Sequence, residues 1–314
     1  MNMNSLSGTV IVTGAFSYTG QYIARRFLAK GGQVLTLTRR PDRPHALQGS
    51  VPAFPLDFSK PAELIKTLSQ AEILVNTYWV RYNYPGSSFA DAVANTKILL
   101  DCALKAGIRR LVHISVSKPE NSNLAYFRGK WEVEKLIRAS GLSHAILRPT
   151  ITFGHEEVLI NNIAWLLRHS PFFAVPGDGQ YRLQPVYVED LAELAFQQAA
   201  RDDNTTMDAA GPEIYTFVEL LEFLKVVVGS RTILVRTPPE LSLGLSRLVG
   251  SVLGDRLLTR EELSALMQDL LVVGQPAFGS TLFSQWASAR AATLGARYTN
   301  ELKLHHGKGR RANG

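Results

Sequence analysis

From residue 9 to residue 148 the chain alternates short apolar runs with longer amphipathic stretches. Thr9–Val12, Gln33–Leu37, Val51–Pro55, Ile73–Asn76, Leu111–Ile114 and Ala145–Leu147 read as strands, each a brief β-branched or Leu-rich run. The stretches between them read as helices. In "FADAVANTKILLDCALKAG" the positions Phe89, Val93, Thr96, Leu99, Leu100 and Ala103 share one helical face, and Gly107 follows as a C-cap. Strand and helix in strict alternation predict an α/β fold, a doubly wound parallel sheet whose ligands bind beyond the carboxyl ends of the strands.

After about residue 149 that rhythm breaks. "GPEIYTFVELLEFLKVVVG" gives one clear helix, whereas "LSLGLSRLVGSVLGDRLL" is an apolar stretch interrupted by glycines. The expected organisation is a nucleotide-binding domain over residues 1–150, a smaller substrate-side domain over 151–301 with 185–200 returning to the first, and a basic tail over 302–314 expected to be disordered. In the glycine-broken stretch, helical spacing puts Leu241, Leu245, Leu248, Val249 and Val252 on one face. A lid over the substrate cleft is the favoured reading of that face, with shallow membrane insertion the alternative.

Charge and cysteine content narrow the classes. The net charge is +7, but Lys303, Lys308, Arg310 and Arg311 lie in the tail without an acid beside them, so the body is only mildly basic and no nucleic-acid partner is expected. The single cysteine, Cys102, excludes an intrachain disulfide and sits in an apolar helical context that suits a core thiol. No signal-peptide pattern and no membrane-spanning run are visible, so a cytoplasmic setting is expected. His113 lies on an apolar strand and reads as a core histidine; no metal site is expected.

The chemistry begins at "TGAFSYTG", residues 13–20, between the first strand and the first helix. In a phosphate-binding strand–turn–helix, the first glycine makes the turn, the second lets backbone approach the pyrophosphate and the third allows close packing. Gly14 and Gly20 keep the outer roles, while Ser17 replaces the middle glycine, where its hydroxyl can cap the helix or meet a phosphate oxygen. Phe16, Tyr18 and Thr19 complete the loop. After the second strand stand Thr38, Arg39 and Arg40, with no acid for a ribose 2′-hydroxyl. Arg39 can pair with a 2′-phosphate, so NADP is favoured over NAD.

With these features the sequence resembles the short-chain dehydrogenase/reductase superfamily, in the extended or atypical branch that includes NmrA-like proteins and the nucleotide-binding accessory subunit of respiratory complex I. The likeness covers most of residues 8–225 and implies a Rossmann fold. "LDF" is similar to the acidic–apolar pair that holds adenine, which implicates Asp57 and Phe58; "NTYWV" supplies Asn76 and Thr77 at the strand end lining the cofactor. "ILRPTITFG" resembles the segment that puts Arg148 and Pro149 beside the nicotinamide. "YFRGK" carries the Tyr-x-x-x-Lys signature, with Tyr126 as proton donor and Lys130 lowering its pKa while bonding the nicotinamide ribose. Residues four apart share a helical face, as that pairing needs.

The resemblance also asks for a serine near the end of the fifth strand, and of Ser115 and Ser117 in "HISVS" the second is chosen, although the interval to Tyr126 is short for extended members. Arg182 and Gln184 fall where relatives contact substrate. Tyr78, Trp79, Arg81 and Tyr82 suggest an aromatic, basic wall for a large apolar or aromatic small-molecule substrate. Three functions follow in order: an NADP(H)-dependent oxidoreductase or epimerase-like enzyme, a nucleotide sensor or assembly factor without catalysis, and a membrane-surface scaffold. The resemblance also implies a homodimer, because the counterparts of the long helices expected over 86–106 and 126–140 form a four-helix interface in that family.

Overall fold

The computed structural model describes residues 8–83, 87–274 and 277–300; the basic tail lies outside the described residues. All six expected strands form: β1 (Thr9–Thr13), β2 (Gln33–Thr38), β3 (Ala53–Pro55), β4 (Ile73–Asn76), β5 (Arg110–Ile114) and β6 (Ser143–Pro149). Between them run α1 (Tyr18–Ala29), α2 (Pro61–Leu68), α3 (Phe89–Lys105) and α4 (Ala125–Ala139). The second half contributes β7 (Ile151–Phe153), α5 (Leu159–His169), β8 (Phe172–Pro176), β9 (Arg182–Leu183), β10 (Pro185–Tyr187), α6 (Val188–Ala199), β11 (Thr205–Ala209), β12 (Tyr215–Thr216), α7 (Phe217–Val228), β13 (Ile233–Thr237), α8 (Pro239–Leu253), α9 (Arg260–Met267) and α10 (Phe283–Ser288).

The main sheet is parallel, in the order β11-β6-β5-β4-β1-β2-β3. Its order reverses between β1 and β4, which opens a crevice at the carboxyl ends of those strands. Side-chain alternation sorts each strand onto two cores. Val10 and Val12 face α1 and α6, with Phe27 and Leu191, whereas Ile11 and Leu74 face α2, α3 and α4, with Leu64, Leu99 and Ile137. Both faces of a wound sheet are covered, so its strands read as nearly continuous apolar runs. Cys102 is buried in the second of these cores, as its context suggests.

Residues 185–200 do return to the first unit, as α6 packed on α1. The return runs further than the sequence indicates, because Thr205–Ala209 pairs in parallel with β6 and extends the sheet. That strand alternates exposed and half-buried residues, and its polar Thr-Thr-Met-Asp pattern hides it from a search for apolar runs. A separate core gathers Phe153, Ile163, Val175, Leu220, Leu224, Phe283 and Trp286 from α5, α7, α10 and the short strands. There α7 begins at a capping box between Thr216 and Glu219 and ends at Gly229, whose φ is +65°.

Candidate functional site

Two backbone facts settle how the loop after β1 is built. Gly14 has φ +68°, and a Cβ on Gly20 would lie 2.1 Å from the Gly14 carbonyl oxygen, so both outer glycines are sterically required. Ser17 is different: its φ of −89° suits any residue, and its Oγ accepts from the Gly20 N–H at 3.3 Å as the N-cap of α1. The loop is pinned from behind by Gly14 N–H on the Leu37 carbonyl (2.8 Å) and Ala15 N–H on Thr36 Oγ1 (3.0 Å). Among the described residues the N–H groups of Phe16, Tyr18 and Thr19 donate to nothing. Three free donors at a helix N-terminus form an anion cradle. The side chain of Phe16 takes no part in it; the ring is buried and stacks on His45.

Beside the loop, Thr38, Arg39, Leu56, Asp57, Phe58 and Ser59 line a groove of about 480 Å³. Asp57 accepts from Ser59 N–H (3.0 Å) and Ser59 Oγ (2.7 Å), which holds its carboxyl below the usual range. Arg39 is exposed and reaches the neighbourhood of the Tyr78 hydroxyl, on which it acts electrostatically. Arg40 does not line the groove; its N–H donates to Thr38 Oγ1 at 3.3 Å. This loop and groove fit a dinucleotide, with free N–H donors suited to its phosphates and an open groove beside Arg39 and Phe58.

Asn76 and Thr77, expected to line the cofactor, prove to be the ties that set the crevice. Asn76 is fully buried; its Oδ1 accepts from Thr13 Oγ1 (3.1 Å) and Tyr78 N–H (3.0 Å), and its Nδ2 donates to His113 Nδ1 (3.2 Å). Thr77 donates its hydroxyl to the Thr13 carbonyl. That network leaves the proton of His113 on Nε2, buried without a partner, and burial with Lys130 nearby holds its pKa well below normal. The imidazole is neutral, a core histidine as expected, but only half satisfied.

Tyr126 and Lys130 sit one turn apart at the start of α4, as the spacing requires. They do not form the expected couple. Lys130 Nζ is buried, donates to the Ile114 carbonyl at 2.9 Å and lies 4.8 Å from the centre of the Trp79 ring. Burial pulls its pKa down to about 7, against the opposing pull of Glu134. Tyr126 meets the same indole edge-on at 5.8 Å, with Phe89 and Phe127 around it, and burial pushes its phenol up to about 12. The charged groups that bear on Tyr126 are Arg81, which lowers that value, and Glu262, which raises it. Trp79, set between them, is what the tyrosine and the lysine share.

Five other expected site residues have internal partners. Ser117 is fully buried and spends its hydroxyl on the Leu270 carbonyl at 2.5 Å. Arg148 grips the buried Glu134 through Nε and Nη2 (3.0 and 2.7 Å), a carboxylate that also receives Ser115 Oγ at 2.6 Å. Pro149 is buried and accepts from Ser117 N–H. Arg182 is fastened to Asp269 by Nε and Nη2 (3.0 and 2.9 Å), and Gln184 is saturated by the backbone of Gly211, Val273 and Gly274.

A large cavity is lined in part by Tyr126. Its volume is about 1010 Å³, and its walls include Val116, Tyr126 and Phe127 from the first half and Ile163, Phe217, Leu220 and Leu266 from the second. Polar groups gather at Arg81, Tyr82, Arg256 and Glu262, where Arg81 Nη2 bonds Glu262 Oε1 at 3.1 Å. Tyr78, Trp79 and Arg182, the three expected substrate contacts, are not among its lining residues. Tyr78 instead packs on Phe58 (5.0 Å), beside the groove of Arg39 and Asp57. Sequence reasoning missed Glu262, although Thr259-Arg260-Glu261-Glu262 carries the Thr-x-x-Glu signature of a capping box, which the structure forms.

Comparison with known proteins agrees with this geometry. A family model described as the NAD dependent epimerase/dehydratase family matches residues 10–209. NADH dehydrogenase (ubiquinone) 1 alpha subcomplex subunit 9 of Arabidopsis thaliana is 27% identical over 235 residues, 70% of this chain and 58% of that protein. The chain thus spans less than two thirds of that relative's length. A ceramide reductase of Caulobacter vibrioides is 24% identical, with 74% of each chain covered. In fold, the triphenylmethane reductase of Citrobacter sp., solved with NADP(H), superposes with a TM-score of 0.74 at 16% identity, covering 90% of this chain and 99% of the other. With the parallel sheet and the glycine loop, and with the family model spanning most of the chain, the chain belongs to the NAD dependent epimerase/dehydratase family, within the extended short-chain dehydrogenase/reductase superfamily.

Proposed function

We propose that the chain is an NADP(H)-dependent reductase of a carbonyl carried on a large amphiphilic molecule, with Tyr126 as the proton donor. One observation carries this reading: Tyr126 lines an apolar cavity of about 1010 Å³ and packs edge-on against Trp79, just beyond the carboxyl end of β4. A bound nicotinamide supplies the hydride. A phenol held at about 12 keeps its proton through the physiological range, so Tyr126 serves as an acid toward a developing alkoxide. Arg81, Arg256 and Glu262 suit a polar head, and the apolar walls suit its chain; the named ceramide reductase among the relatives is consistent with such a substrate. NADP(H) is preferred because Arg39 is exposed in the adenosine groove while Asp57 is occupied by Ser59.

The test is NADPH oxidation with long-chain ketones presented in mild detergent. Tyr126→Phe should lower turnover by about 10²–10⁴-fold and leave nucleotide affinity unchanged; an equally active variant overturns the assignment.

A second reading, nucleotide binding without turnover, is favoured by the Ser117–Leu270 bond and by Trp79 between Lys130 and Tyr126. Purified protein that retains nucleotide yet reduces none of the ketones would support it. The homodimer through α3 and α4 has less behind it. The outer face of those helices carries Lys97, Asp101, Lys105, Arg128, Lys135 and Arg138, and Leu104 is its one large exposed apolar side chain among the described residues.

A further inference from the structure

The apolar stripe of α8 is turned outward. Leu241, Leu245, Leu248, Val249 and Val252 are all exposed, Leu248 at 64% and Val252 at 81%. The helix packs on β8, which pairs in parallel with β13. On that small sheet Phe172 lies opposite Ile233, and both are exposed, as is Val235. A contiguous apolar surface of this kind is uncommon on a protein that meets only water.

Two observations identify what covers it. First, the patch is continuous with the cavity: Phe172, Val235, Leu245 and Val249 are exposed on the surface and also line the cavity wall. A molecule entering there passes over an apolar lip. Second, the exposed charge of the same segment is cationic. Between Arg231 and Arg260 the exposed ions are Arg231, Arg236, Arg247, Arg256 and Arg260 against Glu240, while Asp255 is half-buried and accepts from the Tyr298 hydroxyl at 2.6 Å. A helix with one apolar face and arginines beside it lies in a bilayer interface with anionic head groups. Among the described residues no helix is long and apolar enough to cross a membrane.

We propose that α8 with the β8–β13 edge is a docking surface for an anionic lipid bilayer, and that the cavity draws its ligand through this surface. Helical spacing alone favours a lid over the cleft. The lining role of Leu245 and Val249 keeps that part, and the exposure of Leu248 and Val252 adds the bilayer. The proposal does not depend on turnover.

The experiment is co-sedimentation of the full chain with vesicles of phosphatidylcholine alone and of equal parts phosphatidylcholine and phosphatidylglycerol. The anionic vesicles should bind it, and the double variant Leu248→Asp, Val252→Asp should lose that binding at least about tenfold, while its thermal stability is kept because neither side chain lines the cavity or the core. An environment-sensitive dye on Val252→Cys should shift to the blue on vesicles, whereas the same dye on Leu104→Cys of α3 should not. Three results overturn the proposal. One is no binding to either vesicle. Another is binding that survives the double variant but is lost when Lys303, Lys308, Arg310 and Arg311 become Ser. The third is a stable dimer in ultracentrifugation that the double variant dissociates, which would make the patch an interface between copies.

Discussion

The glycine-loop crevice and the cavity beside α8 are built under opposite constraints. Around β1 and β4 the side chains of Thr13, Thr36, Asn76 and Thr77 each hold a neighbouring segment, and a single added carbon at Gly20 would meet backbone at 2.1 Å. Around α8 there is slack. A Cβ on Gly244 would meet nothing within 4 Å, and five apolar side chains of the helix face outward. The contrast teaches that one region is sterically fixed at its loop backbone, while the other presents an open apolar surface.

Four substitutions can break or sharpen that contrast. The largest effect is expected from Gly20→Ala. Its methyl cannot be accommodated without moving the loop, at a cost of about 1–3 kcal/mol or more, so nucleotide affinity by calorimetry should fall about 10–100-fold. Unchanged affinity would show that the loop is looser than its geometry. Next, Arg39→Asp should reverse the preference for NADPH over NADH by about tenfold, since it removes a charge-assisted bond and places an acid near the ribose. Equal affinities of the wild type for the two cofactors would remove the basis for that expectation.

Lys130 is buried between the Ile114 carbonyl and the Trp79 ring. Its pKa is about 7 in the fold against 10.5 for the free side chain, so between those values the unfolded chain holds a proton that the folded chain has released. Stability should therefore rise with pH from about 7 to about 10.5, and the full penalty of burying the ammonium is present below that window. Lys130→Met should flatten the rise and raise the melting temperature at neutral pH by several degrees while weakening nucleotide binding. A variant that melts lower across the whole range would mean that the bond to Ile114 outweighs burial. The smallest effect is Gly244→Ala, expected to stabilise by about 0.5–1 kcal/mol, or roughly 2 °C in a chain of this size. A loss instead would show that α8 needs its flexibility.

Much of the first half was legible because its demands are local. A strand, a left-handed glycine, an N-cap and a helix lie within residues 9–29, and each has a residue signature that acts over a few positions. Tyr126 and Lys130 stand out through the Tyr-x-x-x-Lys signature of the resembled superfamily, whose spacing puts both on one helical face. What spacing could not show was their surroundings. Ser117 answers to Leu270, Arg148 to Glu134 and Glu120, and Arg182 to Asp269. Each of those side chains has a chemistry that suits a substrate equally well, and only the folded chain reveals the internal partner that claims it. The cavity was hidden for a related reason: its walls come from segments between Arg81 and Leu271, with no contiguous motif.

The stretch from Asp269 to Gly274 has a separate consequence. Lys118 bonds the Asp269 carbonyl, Ser117 the Leu270 carbonyl, the Gln184 N–H the Leu271 carbonyl, and the Gln184 side chain the amides of Val273 and Gly274. Every one of these ties ends on main-chain atoms, which all residue types present alike. Point changes among the apolar letters of this stretch leave the ties in place, whereas one residue inserted or deleted puts every later tie out of phase. Drift across the wider family can therefore rewrite the spelling of this segment long before it can alter its count.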